Sequence, residues 1–134
     1  MLSNGEFLKE VNEIALKSEL IRDNKKIEYY NIPAGFDIEV SSFYQGDRVP
    51  ENKRAIMYIW QLGIFNKVTY GRTWESLSLL INAIKTVMGL NANRRLLVYV
   101  HNLPYEFQFI RKRFKWDKVF LLKERKPVYA LDNG

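Results

Sequence analysis

The hydrophobic and polar positions of the chain predict three helices. Apolar residues recur at helical spacing over residues 5–21, with Glu and Lys between them. The same spacing over residues 74–88 predicts a second helix, for which Thr73 is a suitable N-cap and Gly89 a suitable C-terminal residue. Pro104 opens the third helix, because a missing N–H costs nothing in the first turn.

Short segments rich in β-branched and aromatic residues predict strands between and after these helices. A hairpin turn is expected at Asn66 and Lys67. The segment at 96–100 is continuously apolar, which is typical of a strand covered on both faces. Strands mixed with helices indicate an α/β fold, with a mixed β-sheet flanked by helices. The predicted strands are residues 25–30, 36–43, 55–65, 68–70, 96–100, 119–122 and 127–131.

The second of these strands contains two acids two residues apart. Because the side chains of a strand alternate between its faces, Asp37 and Glu39 lie on one face. The apolar Phe36, Ile38 and Val40 form the other face. Two neighbouring carboxylates repel each other unless a cation or protons compensate them. The pair therefore indicates either part of a divalent-metal site or an edge strand whose polar face is solvated.

A second acidic segment follows the strand at 96–100. Asn102, Tyr105 and Glu106 lie where that strand gives way to the third helix. An acid in the first turn is favoured by the helix dipole even without a metal, and Asn102 is a suitable N-cap. His101 is the only histidine, so it cannot form a histidine metal site, and it is more typical of a strand end than of a catalytic base.

Length and composition restrict the class of protein. The chain has 134 residues, of which 47% are apolar and 27% charged, so one globular domain over residues 1–134 is expected. No apolar run approaches the roughly 18 residues that span a bilayer, and no membrane partner is expected. The absence of cysteine excludes disulfides and thiolate metal sites, and fits a reducing cytoplasm.

The net charge of +6 is concentrated near the C-terminus. Residues 1–110 hold 13 basic and 12 acidic side chains, whereas residues 111–134 hold 8 basic and 3 acidic ones. Basic and aromatic residues together can bind single-stranded nucleic acid, with Arg111 and Lys115 as phosphate contacts and Trp116 as a stacking platform. The alternative is a solvated helix face followed by a strand, and it is favoured for most of these side chains.

The two acidic segments, taken in their order along the chain, resemble the N-terminal 3′–5′ exonuclease domain of protein-primed family B DNA polymerases, the type of phages and linear plasmids. The sequence FDIE at 36–39 resembles the first exonuclease motif, and VHNLPYEF at 100–107 resembles the second. The segment at 126–134 is similar to a hairpin that follows in those polymerases, but the turn predicted at 132–134 has no return strand. The similarity covers about residues 30–134.

The resemblance implies a ribonuclease H-like fold and proofreading of single-stranded DNA 3′ ends during DNA replication. The implied catalytic residues, which also hold two divalent cations (Mg²⁺ or Mn²⁺), are Asp37, Glu39 and Glu106. Asn102 and Tyr105 would contact the 3′ end. A terminal protein primer is the implied partner of the parent polymerase.

Two departures from the family pattern bear on activity. The second motif of the family ends in Asp, where this chain has Glu106, and the third motif is expected beyond Gly134. We therefore expect residues 1–134 alone to be a weak or inactive exonuclease. The implied organisation is a helical N-terminal extension over 1–24 and an exonuclease-like core over 25–134 that is incomplete at its C-terminus.

Two other functions stay open. The first is a non-catalytic nuclease-like module that binds nucleic acid or a partner protein, which both departures favour. The second is a generic α/β domain whose acids are only surface charges. In either case the expected location is the cytoplasm, that of the host cell if a phage encodes the protein, and the choice between DNA and RNA is open.

Overall fold

The computed structural model of the chain describes the backbone of residues 1–22, 26–100, 103–113, 116–122 and 126–132. Side chains are described over the first two ranges, at Tyr105 and over 108–113. The helices are α1 (Asn4–Lys17), α2 (Trp74–Met88) and α3 (Leu103–Ile110). The strands are β1 (Leu20–Arg22), β2 (Glu28–Tyr30), β3 (Ala34–Tyr44), β4 (Lys53–Ile64), β5 (Lys67–Gly71), β6 (Arg94–Arg95), β7 (Tyr99–Val100), β8 (Trp116–Leu122) and β9 (Lys126–Asp132).

A four-stranded sheet in the order β5-β4-β3-β7 is the centre of the structure. β3, β4 and β5 form an antiparallel meander, α2 follows as a crossover, and β7 returns parallel to β3. A second mixed sheet has the order β1-β2-β6, and β8 pairs with β9. The predicted α/β class with mixed sheets and flanking helices is confirmed. Among the described residues, no helix has the length and apolar character needed to cross a membrane.

The parallel pairing in the second sheet is interrupted and resumes in the four-stranded sheet with another register. β2 leads into β3 and β6 leads into β7, and both pairs run parallel. The register changes by two residues between them, because Glu28 lies opposite Arg94 whereas Gly35 lies opposite Tyr99. Pro33 lies in the connecting segment, where its missing N–H removes a ladder donor. The interruption therefore coincides with a residue that cannot continue the ladder.

The strand predicted at 96–100 is shorter in the structure, because the interruption falls within it. Only Tyr99 and Val100 pair with β3, and residues 96–98 lie in no ladder. The prediction that both faces are covered is wrong, because Leu97 and Tyr99 are 44% and 71% exposed. β6, which pairs with β2 just before this segment, was not predicted.

The core lies between one face of the four-stranded sheet and the helices α1 and α2. α2 has the predicted bounds and caps: the Thr73 hydroxyl accepts a hydrogen bond from the Ser76 N–H, and Gly89 is left-handed at φ 65°. Trp60 is fully buried, and its Nε1 donates to the Thr73 carbonyl at 2.9 Å. The other fully buried large side chains are Phe7, Val11, Ile64, Leu77, Met88 and Thr69.

The helix α1 ends four residues earlier than the predicted span of 5–21. Ser18 takes an extended conformation and donates its N–H to the Ala15 carbonyl, and the chain then pairs as β1 with β2. Phe7 and Val11 of α1 are fully buried in the same core as α2. The segment 1–24 therefore contributes both a helix and a strand to the described structure.

One predicted turn lies elsewhere in the structure, and another falls on residues outside the described ones. The β4–β5 hairpin turns at Phe65 and Asn66, one residue earlier than predicted, and Phe65 has a positive φ of 58°. The segment 127–131, predicted to lead into a hairpin turn at 132–134 without a return strand, lies in β9, which pairs with the preceding β8. The predicted turn residues Asn133 and Gly134 lie outside the described residues.

Candidate functional site

Asp37 and Glu39 lie on the face of β3 that points away from the core. Ile38 between them is 5% exposed and belongs to the core, whereas Asp37 is partly buried and Glu39 is exposed. The predicted alternation is therefore confirmed. Neither carboxylate has a hydrogen bond or ion pair with another described residue. Because no cation of the described structure neutralises them, the pair is available to a ligand or to solvent.

The surroundings of the pair form an open face on the sheet. Gly35 of β3 lies opposite Gly63 of β4, and Asp37 lies opposite Gln61. A Cβ built at Gly35 would have its nearest contact at 3.8 Å, from the Tyr99 carbonyl oxygen, so nothing packs tightly over this backbone. The two glycines leave a bare strip of backbone beside the carboxylates, where an extended polymer can approach closely.

A bulge in β4 lies directly opposite Glu39. Glu39 pairs with Ile59, but Val40 pairs with Met57, so Tyr58 is an extra residue on β4. The bulge resets the alternation of β4: Met57 is 6% exposed in the core, and Tyr58 is 49% exposed. Bulges of this kind re-aim side chains and are frequent next to active sites.

The start of α3 lies at the same end of the sheet as Asp37. Val100 pairs with Phe36, the residue before Asp37, and α3 begins at Leu103. Three residues of chain reach at most about 11 Å, so the first turn of α3 starts within that distance of Val100. Glu106 belongs to α3, but its side chain is outside the described side chains. Its predicted approach to the Asp37–Glu39 pair stays a prediction.

The other predicted contact residues are distributed around α3. Tyr105 is 41% exposed, and its ring lies 5.4 Å from that of Phe109. Arg111 is exposed just after the helix. Asn102, His101 and Lys115, and the side chain of Trp116, lie outside the described residues or side chains.

The described residues offer a partial fit to a divalent cation. Asp37 and Glu39 supply carboxylate oxygens, the ligand type that Mg²⁺ and Mn²⁺ prefer. Among the residues that the structure describes, no three His, Cys, Asp or Glu side chains are grouped closely enough to hold a metal. The two carboxylates can therefore anchor a cation, and a full site needs at least one further ligand.

One contact beside this end of the sheet was not predicted from the sequence. Trp74, at the start of α2, faces Arg113, whose guanidinium carbon lies 5.3 Å from the centre of a Trp74 ring. From the sequence, Trp74 belongs to the helix predicted over 74–88, and Arg113 is one of the basic residues of 111–134. Nothing in the local pattern indicates that residues so far apart in sequence form one surface.

Comparisons of the chain with known protein families, with curated proteins and with solved structures find no match.

Proposed function

We propose that this chain carries the acidic site of a metal-dependent 3′–5′ exonuclease that acts on single-stranded DNA. One observation carries the proposal. The D-x-E strand β3 is central in the sheet, its acids lie on the open face, and the parallel neighbour β7 leads directly into the helix that contains Glu106. The backbone segments that carry the two acidic motifs thereby start from one end of one sheet, which supports the proposal.

The topology supports the ribonuclease H-like fold that the resemblance implies. Three antiparallel strands in chain order, a crossover helix and a fourth strand parallel to the first make up the β5-β4-β3-β7 sheet. α1 and α2 pack on one face and leave the other for a substrate, since Val68, Tyr70 and Tyr99 are 38%, 42% and 71% exposed there.

Asp37, Glu39 and Glu106 are the residues that would hold two divalent cations. The cations would activate the attacking water and stabilise the departing 3′ oxygen of a phosphodiester. Asp37 and Glu39 would set the position of the site on β3, which pairs with β4 beside both acids and with β7 just before them. The bare backbone at Gly35 and Gly63 gives the DNA strand access, and Arg111 offers a positive charge to its phosphates. The parent protein would be a phage-type DNA polymerase, with a terminal protein as its partner.

Metal titration is the first test. We expect weak Mn²⁺ binding by calorimetry that is lost in Asp37→Ala and in Glu39→Gln. Asp47→Asn is the matched control, because Asp47 is an exposed acid in the loop between β3 and β4. Unchanged binding in Asp37→Ala, or an equal loss in Asp47→Asn, contradicts the proposal.

Cleavage of a 5′-labelled single-stranded oligonucleotide is the second test. The expected products are shortened stepwise from the 3′ end with Mn²⁺ or Mg²⁺, at a low rate, and Asp37→Asn abolishes them. Asp37→Asn should keep the unfolding free energy within about 0.5 kcal/mol, because its carboxylate has no described partner. Cleavage that survives Asp37→Asn would show that the activity comes from elsewhere.

The rival function is nucleic-acid binding without catalysis. The exposure of Glu39 and the lack of a third acid near the pair, among the described side chains, favour it. It predicts oligonucleotide binding that is the same with Mn²⁺ and with EDTA, and no products at any metal concentration. These outcomes separate it from the exonuclease.

A further inference from the structure

A groove of about 380 Å³ lies between β4, the start of α2 and the end of α3. The strand contributes the floor with three consecutive residues, and the helices contribute the walls. Its lining residues are Ala55, Ile56, Met57, Trp74, Gln108, Phe109, Lys112 and Arg113.

The lining combines a ring with two positive charges. Trp74 is partly buried and packs against the core, so its ring is held in place. Arg113 lies over that ring in a cation–π contact, and both Arg113 and Lys112 are exposed to an incoming ligand. Among the described lining residues there is no Asp or Glu, so these residues together carry a charge of +2. An anionic ligand with a flat apolar part matches this lining.

We propose that this groove binds one unpaired nucleotide of a single-stranded nucleic acid. The base stacks on the Trp74–Arg113 pair, and the adjoining phosphates contact Arg113 and Lys112. Stacking on an aromatic ring with backbone contacts to cations is the general mode by which single strands are held without sequence preference. Gln108 adds an amide that can hydrogen-bond a base edge or a phosphate.

The groove is close to the acidic pair but on the other side of the sheet. Glu39 lies opposite Ile59, and the groove starts at Met57, two residues or about 7 Å further along β4. A strand held in the groove would pass around this end of the sheet to bring its 3′ end to the open face. In naming the polymer, the inference rests on the proposed function.

Salt dependence of binding tests the phosphate contacts. Anisotropy of a labelled oligothymidylate is measured in EDTA, which separates binding from any metal-dependent step. The double variant Lys112→Gln/Arg113→Gln should lower the slope of log affinity against log salt by about 1.4, at about 0.7 per phosphate contact. Lys9→Gln/Lys17→Gln is the matched control. Both lysines are exposed on α1, and their replacement removes the same charge as the groove variant does. An unchanged slope in the groove variant, or an equal change in the control, overturns the inference.

Tryptophan fluorescence tests the stacking. A Trp116→Phe background leaves only Trp74 and the buried Trp60, so quenching by the oligonucleotide reports on Trp74. Trp74→Leu should weaken binding by about 5- to 150-fold, the range for loss of one stacked base. Trp74→Phe keeps an aromatic ring at this position and should lose less affinity than Trp74→Leu. It therefore controls for a loss of binding that is caused by unfolding. Absence of quenching at saturating oligonucleotide overturns the stacking.

Failure of this inference and failure of the exonuclease are distinguishable. If Asp37→Asn binds the oligonucleotide with normal salt dependence while Mn²⁺ binding is the same in the wild type and in Asp37→Ala, the groove stands and the exonuclease site fails. If the wild type cleaves and the groove variants bind as it does, the exonuclease stands and the groove fails.

Discussion

The two faces of the four-stranded sheet share their strands but have opposite surroundings. On the core face, Trp60 and Leu62 of β4 are 0% and 5% exposed beneath α1 and α2. On the open face, Gln61 lies between them in sequence, and its neighbour Tyr70 is 42% exposed. The core face is fixed by packing, whereas the open face keeps polar groups that packing does not require.

This difference indicates where function lies. A carboxylate on the core face would need a partner, because burying an unpaired charge is costly. Asp37 and Glu39 avoid that cost on the open face, where no described partner neutralises them. The Gly35–Gly63 pair beside them adds nothing to the core. Residues that contribute little to stability can be chosen for the binding of a ligand instead of for packing.

Truncation of one side chain on each face gives the largest expected effect. Trp60→Ala should lower the free energy of unfolding by about 3–5 kcal/mol, because it removes a fully buried ring and its bond to the Thr73 carbonyl. Tyr70→Ala, on the open face of the neighbouring strand, should cost about 1 kcal/mol or less. Urea unfolding measures both. Similar losses at the two positions would show that the open face is packed after all.

A methyl group at Gly71 tests how tightly the core face is packed. A Cβ there would overlap the Trp60 ring and lie 2.8 Å from the Ser76 Oγ. Because the Trp60 ring is enclosed and cannot yield freely, Gly71→Ala should cost about 1–3 kcal/mol.

Gly5→Ala is the control for this substitution. Nothing lies within 4 Å of a Cβ at Gly5, which is in α1, so alanine there should stabilise by about 0.5–1 kcal/mol. The opposite signs, read from thermal unfolding, distinguish a packing effect from a general effect of glycine replacement. A neutral Gly71→Ala would mean that the Trp60 ring is mobile.

The parts of the structure that follow from local rules could be predicted from the sequence. The helix over 74–88 has the predicted bounds because Thr73 and Gly89 act at its ends through their own hydrogen bonds and dihedral angles. The placement of Asp37 and Glu39 on one face follows from the period of a strand alone. These features depend on few residues that are close in sequence.

The parts that depend on distant residues could not be predicted. The segment 57–60 is apolar throughout, so no alternation reveals the bulge at Tyr58 opposite Glu39. β1 forms because Leu20–Arg22 pairs with β2, although its sequence extends a helical pattern. The Trp74–Arg113 contact joins the start of α2 to the residues that follow α3, which are far apart in sequence. The position of the Glu106 side chain stays a prediction that rests on the resemblance.

The smallest expected effect concerns α1, which packs on the core face of the sheet. The Ser3 hydroxyl, and then the Ser3 backbone N–H, hold the pKa of the Glu6 carboxyl below its ordinary value by hydrogen bonding. Because the folded pKa is the lower one, this stabilisation is fully present above the ordinary value of 4.5 and is lost as the pH falls through the folded pKa. Glu6→Gln should therefore be less stable than the wild type at pH 7, and the gap in urea midpoint should close in acid. In a Ser3→Ala background the gap at pH 7 should be smaller, because the hydroxyl partner is gone. A gap that is constant with pH, or equal in both backgrounds, would show that the hydrogen bonds between Ser3 and Glu6 do not stabilise α1.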